Sequence, residues 1–496
     1  MSSSVADNEL TEGDLVGPMV RLAWPMVVIQ LLQVAYNLAD TFWLGRLSAT
    51  AVGAISLAFP LIFFLISVGG GFTAAGAILV AQHRGAGGDT AAGLVAGQTI
   101  SFVGLVSIGL ALLGYFLTDP LLSLLPTDAE TGAVLVPMAT DYMEVFMLGT
   151  PALFGFFVFV SLMRGYGNTR TPMRIMMVSV AVNVVLDPLL IFGVGPFPRL
   201  EIVGAAYATI FARFVATVLG FYVLFGTGVG PDIRREHLRP RYEQVKDIVD
   251  LGVPTAIEQS TTSLALVVMT VLVASFPPAV VAAYGLGNRL ISLVFLPAIG
   301  LGQAVDTVVG QNLGADRPDR AERATYLAVK LVVGVMVVVA VVVALFPDPI
   351  VTVFLPPDTP AAEATLGYAR SYLRISTVMF AFMGTRHVVL GAFRGAGNTR
   401  TALAFSLLTF AGLRVPLTYA FAFLLDMGAT GIWVGVAAAD VVAALAALAW
   451  FTRGTWKEAV VDDGPGGPGG SEAAPSESSG PEAGSGSEGA AVTDDD

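Results

Sequence analysis

Between residues 17 and 453, apolar runs alternate with short polar connections about a dozen times. Each run reaches the roughly 20 residues that a helix needs to cross a hydrocarbon core. The runs fall at 17–45, 52–82, 93–117, 135–163, 172–194, 202–226, 245–275, 280–311, 324–346, 363–393, 401–425 and 429–453. The pattern predicts an all-α integral membrane protein with twelve transmembrane helices. Gly69-Gly70-Gly71, Pro60, Pro151 and Pro297 lie inside the runs and suit helices that pack closely and bend.

The chain repeats itself at an offset of about 230 residues. RGYGNTRT at 164–171 returns as RGAGNTRT at 394–401, and VAQHRGA at 80–86 as VGQNLGA at 309–315. Pro25 and Gln30 align with Pro254 and Gln259. Six runs per half is an even number, so both halves insert the same way up. They form two six-helix lobes related by a pseudo-two-fold axis along the membrane normal. The expected organisation is a segment at 1–16, an N-lobe at 17–226, a linker at 227–244, a C-lobe at 245–455 and a disordered acidic tail at 456–496. Two lobes facing across a cleft are the geometry of alternating access, so a carrier is expected.

Basic residues decide the orientation. The terminal segments and even-numbered connections hold 17 of the 26 Lys and Arg, whereas the odd-numbered connections hold Arg46 and Arg199 beside Asp119, Asp128, Glu130, Asp348, Asp358 and Glu363. Both termini are therefore expected in the cytoplasm and the protein in the plasma membrane. The net charge of −12 is concentrated after Lys457, in a Gly, Ser, Pro and acid tail with little to bury. With no cysteine, thiolate chemistry and disulfides are excluded, and three scattered histidines with no carboxylate at metal-ligand spacing argue against a zinc or di-iron site. No paired His and acid motif supports an enzyme. Basic patches for nucleic acid are also missing.

Polar residues inside apolar runs are the candidates for function, because a charge at mid-depth costs about 2.5–3.5 kcal/mol unless it faces a partner or a wet cavity. NVVLDP at 183–188 places Asn183 and Asp187 on one face, a helical turn apart. Pro188 cannot donate to the Val184 carbonyl, which bends the helix and frees an oxygen. The set suits a hard cation or a proton shared between carboxylates.

LAWP at 22–25, NLAD at 37–40, VGQNLGA, the paired RGxGNTRT loops, NVVLDP and GAAYAT at 204–209 together resemble the multidrug and toxic compound extrusion (MATE) family, in its DinF-like or archaeal branch. The resemblance covers about residues 15–455. It implies that Asp40, Asn183, Asp187 and Thr209 couple transport to a cation or proton, with Na+ as one occupant of these oxygens. In the NorM-like branch a span-seven Glu and a span-ten Asp serve the C-lobe. Glu258 matches the first, but Met383 stands at the second position.

Arg386 and His387 are expected to line a C-lobe cavity with Glu258 and Met383. At the repeat offset Val184 aligns with Arg414 and, with one more residue of shift, Thr209 with Asp440, which predicts an internal Arg414–Asp440 ion pair. Glu144 and Arg374 occupy equivalent positions and are expected to meet across the cleft. The arginines of the RGxGNTRT loops read as headgroup anchors, and Asp306 has no assigned role. The expected function is a secondary multidrug antiporter. It would export amphipathic, often cationic compounds against Na+ or H+, as a lipid-embedded monomer without a prosthetic cofactor. A flippase for a lipid-linked precursor is the alternative.

Overall fold

A computed structural model describes residues 10–123, 129–355, 359–458 and 460. Expectations for the first nine residues, for Asp128 and Asp358, and for the acidic tail from 461 onward fall outside them. Eleven of the described helices are long and apolar enough to cross a membrane, and one bent pair completes twelve. The first half comprises α1 (Val16–Leu47), α2 (Ala49–Gly85), α3 (Asp89–Ser123), α4 (Ala129–Leu148), α5 (Thr150–Gly165), α6 (Arg170–Phe192) and α7 (Glu201–Gly226). The second comprises α8 (Tyr242–Val273), α9 (Pro278–Gly314), α10 (Pro318–Leu345), the short α11 (Pro347–Thr352), α12 (Pro360–Gly395), α13 (Thr399–Leu407), α14 (Val415–Tyr419) and α15 (Gly428–Phe451).

The run at 135–163, expected as one helix, is broken by 52° between α4 and α5. Gly149 and Pro151 flank the break, where proline has no N–H to continue the ladder. In the eleventh span, π-helical turns at Leu408–Arg414 and Ala420–Leu424 bracket α14. Such widened turns recur at functional sites.

The buried apolar residues form two clusters, one for each half of the chain. The halves also trade helix ends. Met19, Leu22 and Ala23 of α1 belong to the second cluster, and Ile248 and Leu251 of α8 belong to the first. The connection between the halves is pinned to α3: Gln98 Nε2 donates to the His237 and Arg239 carbonyls (2.6 and 2.7 Å), and Ser101 Oγ to that of Leu238 (2.7 Å).

The repeated motifs interlock at the end of the molecule that carries the basic connections. Gln82 Nε2 donates to the Gly395 carbonyl (3.0 Å), and its repeat partner Gln311 Nε2 donates to that of Gly165 (2.9 Å). Gly85 lies against the Gln311 carbonyl and Gly314 against that of Gln82, so close that an added Cβ would overlap the oxygen in either case. Of the RGxGNTRT arginines, the leading Arg164 and Arg394 are buried and are not headgroup anchors, whereas Arg170 and Arg400 are exposed. Two chain ends reinforce the closure. Arg317 and Arg320 donate to the carbonyls of Thr11, Glu12 and Gly13 (2.6, 2.8 and 2.9 Å). Asp14, accepting from the Gly17 amide, is held below the usual carboxylate range by backbone N–H groups at the start of α1. The boundary expected at 456 also shifts. Trp456 is buried and stacks on Phe451, and Lys457 pairs with Glu322 (2.6 Å), so packed structure continues into the residues assigned to the tail.

Candidate functional site

Three helices of the first half each contribute two residues one turn apart. They are Tyr36 and Asp40 on α1, Asn183 and Asp187 on α6, and Thr209 and Arg213 on α7. The i, i+4 spacing puts both members of a pair on one face, and α1, α6 and α7 pack against one another there. Asn183 Nδ2 donates to Asp187 Oδ1 (3.1 Å), Thr209 Oγ1 donates to Asp40 Oδ2 (3.4 Å), and the Asp40 carboxyl lies within reach of Asp187 and Asn183. Asn183 and Asp187 are fully enclosed. Four oxygens are buried without a hydrogen-bond partner: Tyr36 Oη, Asp40 Oδ1, Asn183 Oδ1 and Asp187 Oδ2. Orphaned acceptors at this depth, with two carboxyl groups side by side, call for a positive occupant, either a proton or a hard cation.

Arg213 closes the cluster on one side. Its Nη2 donates to Gln33 Oε1 (2.7 Å), and its guanidinium lies 4.7 Å from the Tyr36 ring centroid. Neither Tyr36 nor Arg213 was among the sequence candidates. Arg213 carried a signal, since it is a basic residue outside every connection and one turn from Thr209. Tyr36, one turn from Asp40, had only its spacing.

The C-lobe candidates separate into different environments. Arg386 of α12 and Arg414 both pair with Asp440 of α15, Arg386 Nη2 at 3.2 Å from Oδ1 and Arg414 Nη2 with Oδ2. Asp440 is fully buried. Met383, one turn before Arg386, is packed in the second apolar cluster. His387 stands edge-on to Phe295, centroids 5.1 Å apart, and crowds Gly302. Glu258 is drawn away from this group to Arg394, as described below. Glu144 and Arg374, expected to meet, form no ion pair with each other among the described residues.

Residues 25–189 and 254–420, the two repeats, match the family described as MatE. The chain belongs to the MATE family. Its relatives include the probable multidrug resistance protein YpnP of Bacillus subtilis (strain 168), 30% identical over 90% of this chain and 97% of that one. The FAD transporter of Shewanella oneidensis is 31% identical over 68% of this chain and 74% of its own. Among solved structures, one described as the outward-facing conformation of a multidrug resistance MATE family transporter has a TM-score of 0.83. It is 25% identical and matches 90% of this chain and 98% of that one. The MATE chain described here is accordingly a multi-pass membrane transporter of the multidrug efflux type, with the twelve-helix fold.

At the basic end of this MATE transporter, four buried charges form a chain across the lobes. Arg164 Nη1 lies 3.3 Å from Asp306 Oδ2, Arg394 Nε lies 3.6 Å from the same oxygen, and Arg394 Nη1 lies 2.8 Å from Glu258 Oε1. Ser406 Oγ also donates to Glu258 (3.3 Å). Asp306, left without a role by the sequence, thus holds the leading arginine of each motif copy, Arg164 from one lobe and Arg394 from the other. At the repeat offset its counterpart is Ala77, so the crossing pair has no symmetric twin. Sequence position could not reveal this, because an arginine beside a loop reads the same whether it turns to the headgroups or inward.

Proposed function

We propose that this MATE transporter is a secondary antiporter in the plasma membrane, both termini cytoplasmic, that exports amphipathic organic compounds in exchange for Na+ or H+. The observation supporting this reading is the N-lobe cluster of Asp40, Asn183, Asp187 and Thr209, in which one oxygen each of Asp40, Asn183 and Asp187 is buried without a hydrogen-bond partner. An occupant bound between the two carboxyl groups removes their repulsion and desolvation strain, which lets α1, α6 and α7 repack and reshapes the cleft. By linkage, bound substrate weakens ion binding by the same factor. The side-chain hydrogen bonds that join the lobes gather at the basic end, which fits a state closed toward the cytoplasm.

The test is efflux of a cationic dye, ethidium, from proteoliposomes under separately imposed Na+ and pH gradients. Asp40→Asn and Asp187→Asn keep the shape and remove the charge, so gradient-driven efflux is expected to collapse while insertion and folding persist. Near-normal gradient dependence in both variants would overturn the assignment.

A further inference from the structure

The two lobes carry buried charge sets of opposite sign, the first on α1, α6 and α7 and the second on α12, the eleventh span and α15. In the N-lobe, two carboxylates, Asp40 and Asp187, face one guanidinium, Arg213. In the C-lobe, two guanidiniums, Arg386 and Arg414, face one carboxylate, Asp440. The first set has a negative charge in excess and the second a positive one. An uncompensated guanidinium in the interior of a membrane lobe is costly and is rare unless it serves a function.

Among the described residues no carboxylate other than Asp440 pairs with Arg386 or Arg414, and Glu258, whose charge reaches Arg386, is committed to Arg394. Asp440 already gives one oxygen to each arginine. Arg386 Nε and Arg414 Nε are buried without a partner. Both guanidiniums approach the Phe410 ring, at 5.7 and 4.8 Å from its centroid, but a ring face attracts a cation without neutralising it. Arg386 is almost fully enclosed, whereas 19% of the Arg414 side chain is open, at the end of a π-helical turn in the middle of its span. A guanidinium at that depth is tolerated toward the bundle interior or a wet cavity, so its open edge is assigned to the cleft side.

We propose that Arg414, braced by Arg386 and Asp440, is an anion-receiving site for cargo, so that this transporter also carries amphipathic compounds bearing a carboxylate or phosphate group. This rests on the export reading above and extends its substrate class beyond cations. The planar guanidinium pairs with either anionic group through two parallel hydrogen bonds. A soluble organic anion and the headgroup of an anionic lipid share this chemistry.

The experiment uses the purified full chain in proteoliposomes, with carboxyfluorescein as the anionic probe, ethidium as the cationic one and a fluorescent phosphatidylglycerol as the lipid probe. Arg414→Gln leaves a neutral Arg386–Asp440 pair, so no acid is stranded. It is expected to lower carboxyfluorescein transport at least about tenfold, the weight of a lost charge-assisted pair, while ethidium transport stays within about twofold. Arg414→Lys, which keeps the charge, should restore part of the loss. Should the labelled lipid show the Arg414 dependence in place of the soluble dye, the site stands and its anion is a headgroup. Equal losses for all three probes would reduce Arg414 to a structural role, and a wild-type protein that neither moves nor binds either anionic probe would overturn the proposal. If wild type fails to move ethidium, the export reading fails instead, and anisotropy of bound carboxyfluorescein in wild type against Arg414→Gln still decides the anion site.

Discussion

At Asp440 one carboxylate neutralises part of two guanidiniums, and this changes which substitution harms the protein. From the repeat alignment alone, Arg414 is the only partner, and its loss would strand the acid. With Arg386 also in contact, Arg414→Gln leaves a complete pair, whereas Asp440→Asn leaves two unpaired cations. Asp440→Asn is therefore expected to cost about 3–5 kcal/mol, and Arg414→Gln clearly less. Thermal unfolding in detergent, measured on both variants, checks the order. In the N-lobe, Asn183→Ala should weaken coupled efflux less than either Asp substitution, because water can take the place of an amide. Residues of this kind were legible in the sequence wherever a polar group interrupts an apolar run. Direction was not: Arg386 and Arg414 were separate candidates until packing joined them on one acid.

Helices α2 and α9 meet the opposite lobe through Gln82, Gly85, Gln311 and Gly314, and the meeting leaves no room for a side chain at either glycine. The VAQHRGA and VGQNLGA copies form a contact surface between the lobes, which is why both keep glycine at the same offset. Gly314→Ala should thrust a methyl into the Gln82 carbonyl and part the lobes at the basic end. Spin labels introduced by Arg170→Cys and Arg400→Cys, both exposed, should then report a longer distance; the chain has no native cysteine to interfere. Helix number and repeat were plain from hydropathy, since they depend on run length. The break between α4 and α5 was signalled only by Gly149 and Pro151, and its angle depends on neighbours that the sequence does not order in space.

Across the whole molecule, the closed basic end combines a symmetric set of amide contacts with one asymmetric charge link. Arg164→Gln removes the link yet leaves Asp306 with Arg394 and Arg394 with Glu258, so the fold should survive while the closed state weakens. A shift of about tenfold toward the open population is expected, read by the same label pair. Unchanged distances would mean that the amide contacts alone hold the end shut.

The exchange of helix ends between the two apolar clusters also bears on how the protein is made. When the ribosome has finished α7, Met19, Leu22 and Ala23 still lack the second-half residues they pack against. The first half cannot mature on its own and has to wait in the bilayer for α9 to arrive. Residues 1–226 expressed alone should thus be cleared rapidly by membrane proteases, and co-expression with residues 227–496 should rescue them, although no covalent bond would join the two pieces.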